Sequence, residues 1–140
     1  MFPGAMRRIT ILFVLLSLVL VLGGCGEDPV DKANAGEVRS VVLRFAAASD
    51  ASACDLLTAE ALRNVYGGFG SKLRKARAAC RKRSGQFRGE QVKITKLDVI
   101  DNETARVAAL SRDEKFTYSV TVRRPAKRWL IDQITLHTVR

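Results

Sequence analysis

Cysteine and histidine are the side chains that form zinc fingers, zinc ribbons and thiol–imidazole pairs, and the chain has three cysteines and one histidine. Cys25, Cys54, Cys80 and His137 are widely spaced, which leaves too few ligands for a zinc finger or a zinc ribbon. A catalytic thiol needs a neighbouring base, and only His137 could partner Cys54 or Cys80. We therefore expect no metal site, no cofactor and no catalytic cysteine, and we assign the cysteines structural roles.

The segment before Cys25 has the pattern of an export signal. Arg7 and Arg8 precede an apolar run at residues 9–22, which is about 21 Å long as a helix. A membrane-spanning helix needs about 20 apolar residues to cross a hydrocarbon core of about 30 Å. A basic start, a short apolar run and small residues at its end predict a secretory signal.

The end of this segment, Leu22-Gly23-Gly24-Cys25, resembles the bacterial lipobox, in which an aliphatic residue and two small residues precede a cysteine. The resemblance implies that the signal is cut before Cys25 and that this cysteine is diacylated. Two acyl chains anchor a protein stably, because each buried methylene contributes about 0.8 kcal/mol. We therefore expect an exported protein that is anchored to the outer side of the bacterial cell membrane by a lipid at Cys25. The alternative is an ordinary secretory signal that ends near a cysteine.

The two remaining cysteines form an even pair. Outside the membrane the compartment is oxidising, which favours a disulfide between Cys54 and Cys80. Closing the loop between them stabilises the fold by about 3.6 kcal/mol in the chain-entropy model. Two buried free thiols are the alternative, and we predict the disulfide.

Helices are predicted in the first half of the exported chain, after a tether that extends to about residue 36. Apolar residues recur at helical spacing from about Glu37 to near Asp50, which predicts the first helix. A second helical stretch covers residues 54–65, and Thr58 can cap a turn within it. The glycines at residues 67–70 then end this stretch.

A third helix is predicted from about residue 72 to residue 83, with Ser71 as its cap. Leu73, Ala76 and Cys80 fall on one face of this helix. Cys80 is therefore expected to face the core, where it can meet Cys54.

Strands are predicted in the second half, where the apolar period changes from helical to alternating. Val92 and Ile94 share one face of the first strand. Leu97 and Val99 have the opposite parity, so a bulge near Thr95-Lys96 would keep both pairs inward. Three further strands are predicted, marked by Val107 and Ala109; by Phe116, Tyr118, Val120 and Val122; and by Trp129, Ile131, Ile134 and Leu136. Consecutive hairpins predict a four-stranded antiparallel meander with helices on one face, which is the α+β class.

Four features between about residue 36 and residue 140 carry a family resemblance. They are Phe45-Ala46-Ala47-Ala48 in the first helix, Ala53-Cys54-Asp55-Leu56-Leu57-Thr58, the second cysteine at Cys80, and the terminal Trp129-Leu130-Ile131-Asp132. With the order of elements, they resemble the nuclear transport factor 2-like superfamily, and more closely small exported lipoproteins of actinobacterial type that carry this domain. The resemblance implies a signal peptide at 1–24, a lipidated cysteine and tether at 25–36, and the domain at 37–140.

The same resemblance implies a curved sheet that wraps the helices around an apolar pocket. Four aromatic residues are the candidates to line this pocket, namely Phe69, Phe116, Tyr118 and Trp129. The alternative for each is an ordinary packing role in the core or in a loop.

Enzymes of that superfamily, such as ketosteroid isomerase and polyketide cyclases, place an acid or a base in the pocket, where burial raises the pKa of a carboxyl group. The candidates here are Asp98, Asp132, His137, Tyr66 and Tyr118. Alternation turns Asp98 and Asp132 away from the core, and His137 is expected to be exposed on the last strand. No buried acid–base pair can be assembled from the spacing, so we expect a non-catalytic protein.

Residues 61–89 hold nine basic side chains and no acidic one, in a chain of net charge +10. On the third helix Arg74, Arg77, Arg81 and Lys82 fall opposite the core face and form a basic surface. Anionic lipid headgroups, an acidic wall polymer and an acidic protein are the candidate partners. Nucleic acid is disfavoured for an exported protein, and a solvated helix face without a partner is the alternative.

These sequence patterns are compatible with several alternative functions. Apolar residues make up 47% of the chain and charged residues 27%, which excludes a wholly disordered protein. We expect a membrane-anchored binding protein for an apolar small molecule or for an envelope partner. A small isomerase or dehydratase that uses the same pocket is the contrasting hypothesis. A structural or interaction module without a ligand is the third, and a homodimer through the sheets remains open.

Overall fold

The computed structural model describes residues 28–139, and Cys25 and the export signal lie outside them. Within these residues three helices precede one antiparallel sheet, whose strands lie in sequence order. The strands are β1 (Val92–Val99), β2 (Thr104–Ser111), β3 (Phe116–Arg123) and β4 (Leu130–Thr138). The predicted α+β class and the four-stranded meander are confirmed.

The first helix, α1 (Pro29–Ala47), begins well before the expected start near Glu37. Asp28 caps it, because its carboxylate accepts a hydrogen bond from the backbone N–H of Val30 at 3.0 Å. Proline suits the first helical position, where no hydrogen-bond partner for its nitrogen is needed. Most of the expected tether is therefore the first part of a helix.

The predicted second helical stretch is divided into a 3-10 turn (Ala51–Leu56), α2 (Ala59–Leu62) and a π turn (Arg63–Gly67). The division falls at Leu57 and Thr58, where the backbone is extended and pairs with the start of β4. The N–H of Thr58 donates to the carbonyl of Ile131 at 2.8 Å. Thr58 caps α2 as predicted, since its hydroxyl accepts from the N–H of Ala61 at 3.0 Å.

The third helix, α3 (Leu73–Lys82), is predicted to within one residue at each end, but its cap is not the predicted one. No side chain caps α3, and the hydroxyl oxygen of Ser71 is buried without a hydrogen-bond partner. The hydroxyl lies against Gly67 in the preceding turn, where a side chain at Gly67 would collide with it. The N-cap position is Lys72, so Ser71 lies one residue too early to cap α3.

The Cys54–Cys80 disulfide is present and confirms the predicted pairing. Both cysteines are fully buried, and their Cα atoms are 6.1 Å apart. The bridge joins α3 to the 3-10 turn that follows α1. Ala76, one turn before Cys80, is also fully buried, so α3 is fixed to the domain by its small-residue face.

Two bulges bend the outer strands of the sheet. In β1 the pairing with β2 shifts between Ile94 and Lys96, which confirms the predicted bulge near Thr95-Lys96. In β4 the pairing with β3 skips Asp132, so that this residue forms a second bulge. Bulges increase the local twist of a strand and bend it. Each bulge also restores inward apolar residues on both sides of it.

The core lies between the inner face of the sheet and the helices. Its larger members are Val38, Val41 and Val42 of α1, Leu57 and Leu62, and Val107, Val120, Val122, Trp129 and Ile131 of the sheet region. Two apolar residues in the later part of β4, Ile134 and Leu136, are 41% and 55% exposed. The helices cover only the first part of β4, which leaves both side chains at the uncovered end.

No helix within residues 28–139 combines the length and the apolar character that a bilayer span requires.

Candidate functional site

An apolar cavity of about 330 Å³ lies between the C-terminal part of α1 and the inner face of the sheet. Its apolar lining comes from α1, the segment before β1, and all four strands, and comprises Val42, Phe45, Ala46, Ala48, Phe87, Val92, Ala109, Tyr118, Val120, Ile131 and Ile134. Gln86, Arg88 and Glu90 bring polar atoms to the rim. Helix and sheet separate here because the helices do not cover the later part of β4.

The segment of residues 86–90 closes one side of the cavity. Phe87 meets Phe45 of α1 edge to face, with ring centroids 6.1 Å apart. The N–H of Glu90 donates to the carbonyl of Ala46 at 2.7 Å. Gly89 has a φ of +61° and passes so near α1 that an added Cβ would lie 3.0 Å from the carbonyl oxygen of Ala47. Glycine at this position therefore lets the segment dock on the end of α1.

Tyr118 of β3 lines the cavity and binds the same segment. Its hydroxyl donates a hydrogen bond of 2.6 Å to the carboxylate of Glu90. This hydrogen bond, together with partial burial and the charge of Glu90, raises the pKa of Tyr118 to about 12. Tyr118 thus stays protonated at neutral pH and donates its hydroxyl hydrogen bond to Glu90.

Three of the four predicted lining residues are not part of this cavity. Phe69 is a correction: its side chain is fully exposed between Gly68 and Gly70, whose positive φ angles turn this loop outward. Trp129 is also a correction, because it is buried in the core with the guanidinium of Arg124 5.9 Å from its ring centroid.

Phe116 is half-buried at the start of β3, and it too is absent from the lining. It pairs with Thr138 at the far end of β4, and its N–H donates to the hydroxyl of Ser111 at 3.1 Å. The ladder therefore places Phe116 beyond the cavity, although it shares a strand face with Tyr118.

A second, more polar cavity of about 440 Å³ adjoins the first, and Phe45, Ile131 and Ile134 line both. Its polar lining consists of Glu60, Asn64, Tyr66, Asp132 and Gln133. The hydroxyl of Tyr66 accepts a hydrogen bond from the Gln86 amide at 2.6 Å, and burial raises the pKa of Tyr66. The sequence did not predict this cavity, because it depends on the break at residues 57–58 that brings α2 beside β4.

Asp132 is a correction to the expectation that it points away from the fold. Its side chain is only 13% exposed. One carboxylate oxygen accepts the hydroxyl proton of Thr58 at 2.7 Å, and the other pairs with Nε of Arg123 at 3.3 Å. The bulge in β4 turns Asp132 toward the start of α2. Its partners make it a link between α2 and the sheet.

The remaining acid–base candidates lie outside both cavities. Asp98 is about half exposed on the outer face of the sheet, where it pairs with Lys96 at 3.0 Å. His137 is exposed on the same face opposite Thr117. Neither residue approaches the apolar lining.

The ionisable side chains that line the apolar cavity are either hydrogen-bonded to each other or exposed at its rim. Of the ionisable residues that line it, Tyr118 and Glu90 are bonded to each other, and Arg88 is an exposed side chain at the rim. General acid–base catalysis requires a group that can exchange a proton near neutral pH, and Tyr118 holds its proton to about pH 12. Within residues 28–139 no group of three histidine, cysteine or acidic side chains is placed to hold a metal ion.

The four residues of the predicted basic surface are exposed on α3, and three of them, Arg74, Arg77 and Arg81, line a groove of about 380 Å³ from which Lys82 is absent. The three arginines stand along one side of the helix, and Leu73 and Ala78 also line the groove. Arg81 pairs with Asp55 at 3.2 Å. Within the described residues, no carboxylate pairs with Arg74 or Arg77.

No protein-family model, no curated protein and no solved structure matches this chain.

Proposed function

We propose that this chain is an exported, lipid-anchored binding protein that takes up an apolar small molecule in the cavity between α1 and the sheet. In this proposal Cys25 carries the lipid, and residues 28–139 form a domain of the nuclear transport factor 2-like type. Three helices against a bent antiparallel meander, with a cavity between them, are compatible with that fold.

The observation that carries the proposal is the composition of the cavity. Ligand pockets in proteins have volumes of about 300–1,000 Å³ and apolar walls with a few polar groups. The cavity has a volume of about 330 Å³ and a mostly apolar lining, to which Gln86, Arg88, Glu90 and Tyr118 add a few polar groups. An apolar body of modest size would bury its surface against Phe45, Phe87 and Val120, and a polar end would remain at the rim.

The arrangement of the ionisable groups favours binding over an isomerase or a dehydratase. Such enzymes need an acid or a base inside the apolar wall. Here Glu90 accepts a hydrogen bond from the hydroxyl of Tyr118 at the rim, and Asp132 is held by Thr58 and Arg123 outside the apolar wall. Both carboxylates are thus engaged in holding the fold together.

Two variants in neighbouring positions of α1 test the cavity. Ala46 lines it, whereas Ala47 is exposed and is not part of the lining. We expect Ala46→Phe to fill the cavity and weaken binding of the neutral probe N-phenyl-1-naphthylamine at least tenfold. Ala47→Phe should leave the affinity unchanged, and near-UV circular dichroism should show both variants folded.

Native mass spectrometry of the chain from residue 26, secreted by a bacterial host, provides the second measurement. A bound mass that leaves on denaturation would identify the ligand class, and Ala46→Phe should lose it. A wild-type chain that carries no added mass and binds no probe would refute the ligand-binding function. The structural or interaction module would then be the better hypothesis.

The anchor is tested separately at Cys25. The full chain expressed in a bacterium should fractionate with the membrane and carry a diacylglyceryl mass on Cys25. Cys25→Ala should abolish both the mass and the cleavage before this residue. A chain released into the medium with a free Cys25 would contradict the anchor and leave the cavity proposal standing.

A further inference from the structure

The arginine groove on α3 is a second surface of the domain that could bind a partner, because it is exposed and positively charged. Arg74, Arg77 and Arg81 follow one another at intervals of three and four residues, so their side chains emerge on the same side of the helix. Like charges at this spacing repel each other. Of these three arginines, only Arg81 has a carboxylate partner within the described residues. The partner is Asp55, and both side chains of that pair are about half exposed.

The helix that carries the groove is fixed to the domain. The opposite face of α3 is fully buried at Ala76 and Cys80, and the disulfide from Cys80 to Cys54 joins the helix to the preceding turn. The backbone positions of the arginines are therefore fixed relative to one another, so binding does not require a flexible segment to become ordered.

The chemistry of the groove fits phosphate esters that carry apolar groups. A guanidinium donates two parallel hydrogen bonds to a phosphate and is more weakly hydrated than an ammonium group. Leu73 and Ala78 line the groove beside the arginines and supply apolar surface to it. A phospholipid headgroup offers both a phosphate and the glycerol and acyl carbons directly behind it.

Contacts within the fold connect the groove to the end of the domain that carries the chain's link to Cys25. Asp55 binds Arg81 with its carboxylate and accepts a hydrogen bond from Arg128 with its carbonyl, at 2.9 Å. Arg128 belongs to the β3–β4 turn, in which Arg124 donates to the side chain of Asn34 at 3.2 Å. Asn34 lies in the first half of α1, whose first residue follows Cys25 by a few positions.

We infer that the arginine groove of α3 docks on the anionic phospholipid headgroups of the membrane to which the chain is anchored. The inference rests on the proposed anchor for the choice of a membrane as the partner, and it is independent of what the cavity binds.

Vesicle binding tests this docking with a chain that begins at residue 26 and carries no lipid. The disulfide, the sheet and the whole core lie within residues 28–139, so this chain retains every contact that forms the domain. We expect it to sediment with vesicles that contain phosphatidylglycerol and not with vesicles of pure phosphatidylcholine. Binding should weaken as salt is raised from 50 to about 300 mM, because screening shortens the range of the attraction.

A pair of double variants separates the groove from net charge. Arg74→Gln with Arg77→Gln should weaken partitioning about thirtyfold, since each basic side chain near an anionic surface contributes about 1 kcal/mol. Arg112→Gln with Lys115→Gln removes the same charge from the exposed β2–β3 turn and should weaken it less than threefold.

Equal losses in the two double variants would overturn the inference in favour of a diffuse effect of the net charge. So would the absence of vesicle binding, or tight binding to polyglutamate without binding to vesicles, which would point to an acidic polymer. None of these results would affect the mass of Cys25, so the failure of the groove and the failure of the anchor are distinguishable.

Discussion

The hydroxyl of Tyr118 donates a 2.6 Å hydrogen bond to the carboxylate of Glu90, and this bond joins the middle of the sheet to the segment that closes one side of the apolar cavity. The same residue, Glu90, is fixed to α1 through its backbone N–H at Ala46. Three parts of the domain therefore meet at Glu90, and the shape of the cavity depends on it.

The pH dependence of Tyr118 is the first prediction. The folded state raises the pKa of Tyr118 from 10.0 to about 12, mainly through the hydrogen bond to Glu90. A group whose pKa is higher in the folded state stabilises the fold below its unfolded pKa, so this contribution should be complete below pH 10 and lost between pH 10 and 12. Absorbance at 295 nm, in a Tyr66→Phe background, should show Glu90→Gln moving the titration of Tyr118 down toward pH 10. An unchanged midpoint would mean that Glu90 does not raise the pKa of Tyr118.

Two glycines should respond in opposite directions to alanine. Gly89→Ala should lower the free energy of unfolding by about 1–2 kcal/mol, because its φ of +61° is unfavourable for a residue with a Cβ. The new Cβ would also lie 3.0 Å from the carbonyl oxygen of Ala47. Gly36→Ala, on the exposed side of α1 with open space around it, should raise it by about 0.5–1 kcal/mol. Urea denaturation measures both, and a neutral Gly89→Ala would contradict the tight docking of this segment.

The disulfide should account for a large part of the stability. Cys54 and Cys80 are 26 residues apart, and closing a loop of that length contributes about 3.5 kcal/mol in the chain-entropy model. Cys54→Ala with Cys80→Ala should lower the free energy of unfolding by at least that amount, because both side chains are fully buried. The reduced wild-type chain is the matched control. It keeps both sulfur atoms in place, so it should lose less than the double variant.

Thr58 should couple α2 to β4. Its hydroxyl accepts from the N–H of Ala61 and donates to Asp132, so Thr58→Ala removes a cap and a hydrogen bond to a charged group. We expect a loss of about 2 kcal/mol in the free energy of unfolding. Thr58→Ser retains both hydrogen bonds and should lose less than half of that.

A double-mutant cycle with Asp132→Asn isolates the contact between the two side chains. The losses caused by Thr58→Ala and Asp132→Asn should not add, because both variants disturb the same hydrogen bond. Additive losses would show that Thr58 acts only as a helix cap.

Local patterns predicted the features of the fold that depend on neighbouring residues. The change of parity between Ile94 and Leu97 predicts the bulge in β1, because only a bulge keeps both side chains inward. The same change of parity occurs between Ile131 and Ile134, but the bulge in β4 was not predicted from it. The burial of Asp132 in that bulge was not predictable in the same way, since its partner Thr58 lies far away in the sequence.

The shape and lining of the apolar cavity also depend on contacts between residues that are far apart in the sequence. Tyr118 was placed by the alternation of β3, and the alternation was correct. The predicted positions of Phe69 and Trp129 were wrong. Phe69 is placed by the positive φ angles of the glycines on both sides of it, and Trp129 packs beside Arg124. The segment that closes the cavity is positioned by Gly89 against the end of α1, and no periodic pattern in the sequence marks that approach.

The early start of α1 at Pro29 has a consequence for a lipid-anchored chain. The backbone from Cys25 to Pro29 can extend at most about 14 Å, which is far less than a tether that reaches residue 36 would allow. A short link confines the domain near the bilayer surface at an effective concentration in the millimolar range. The headgroup contacts of the arginine groove would then form next to the anchor, so that even a modest affinity of the lipid-free chain would suffice to keep the groove occupied. Avidity would in that case set the orientation of the cavity.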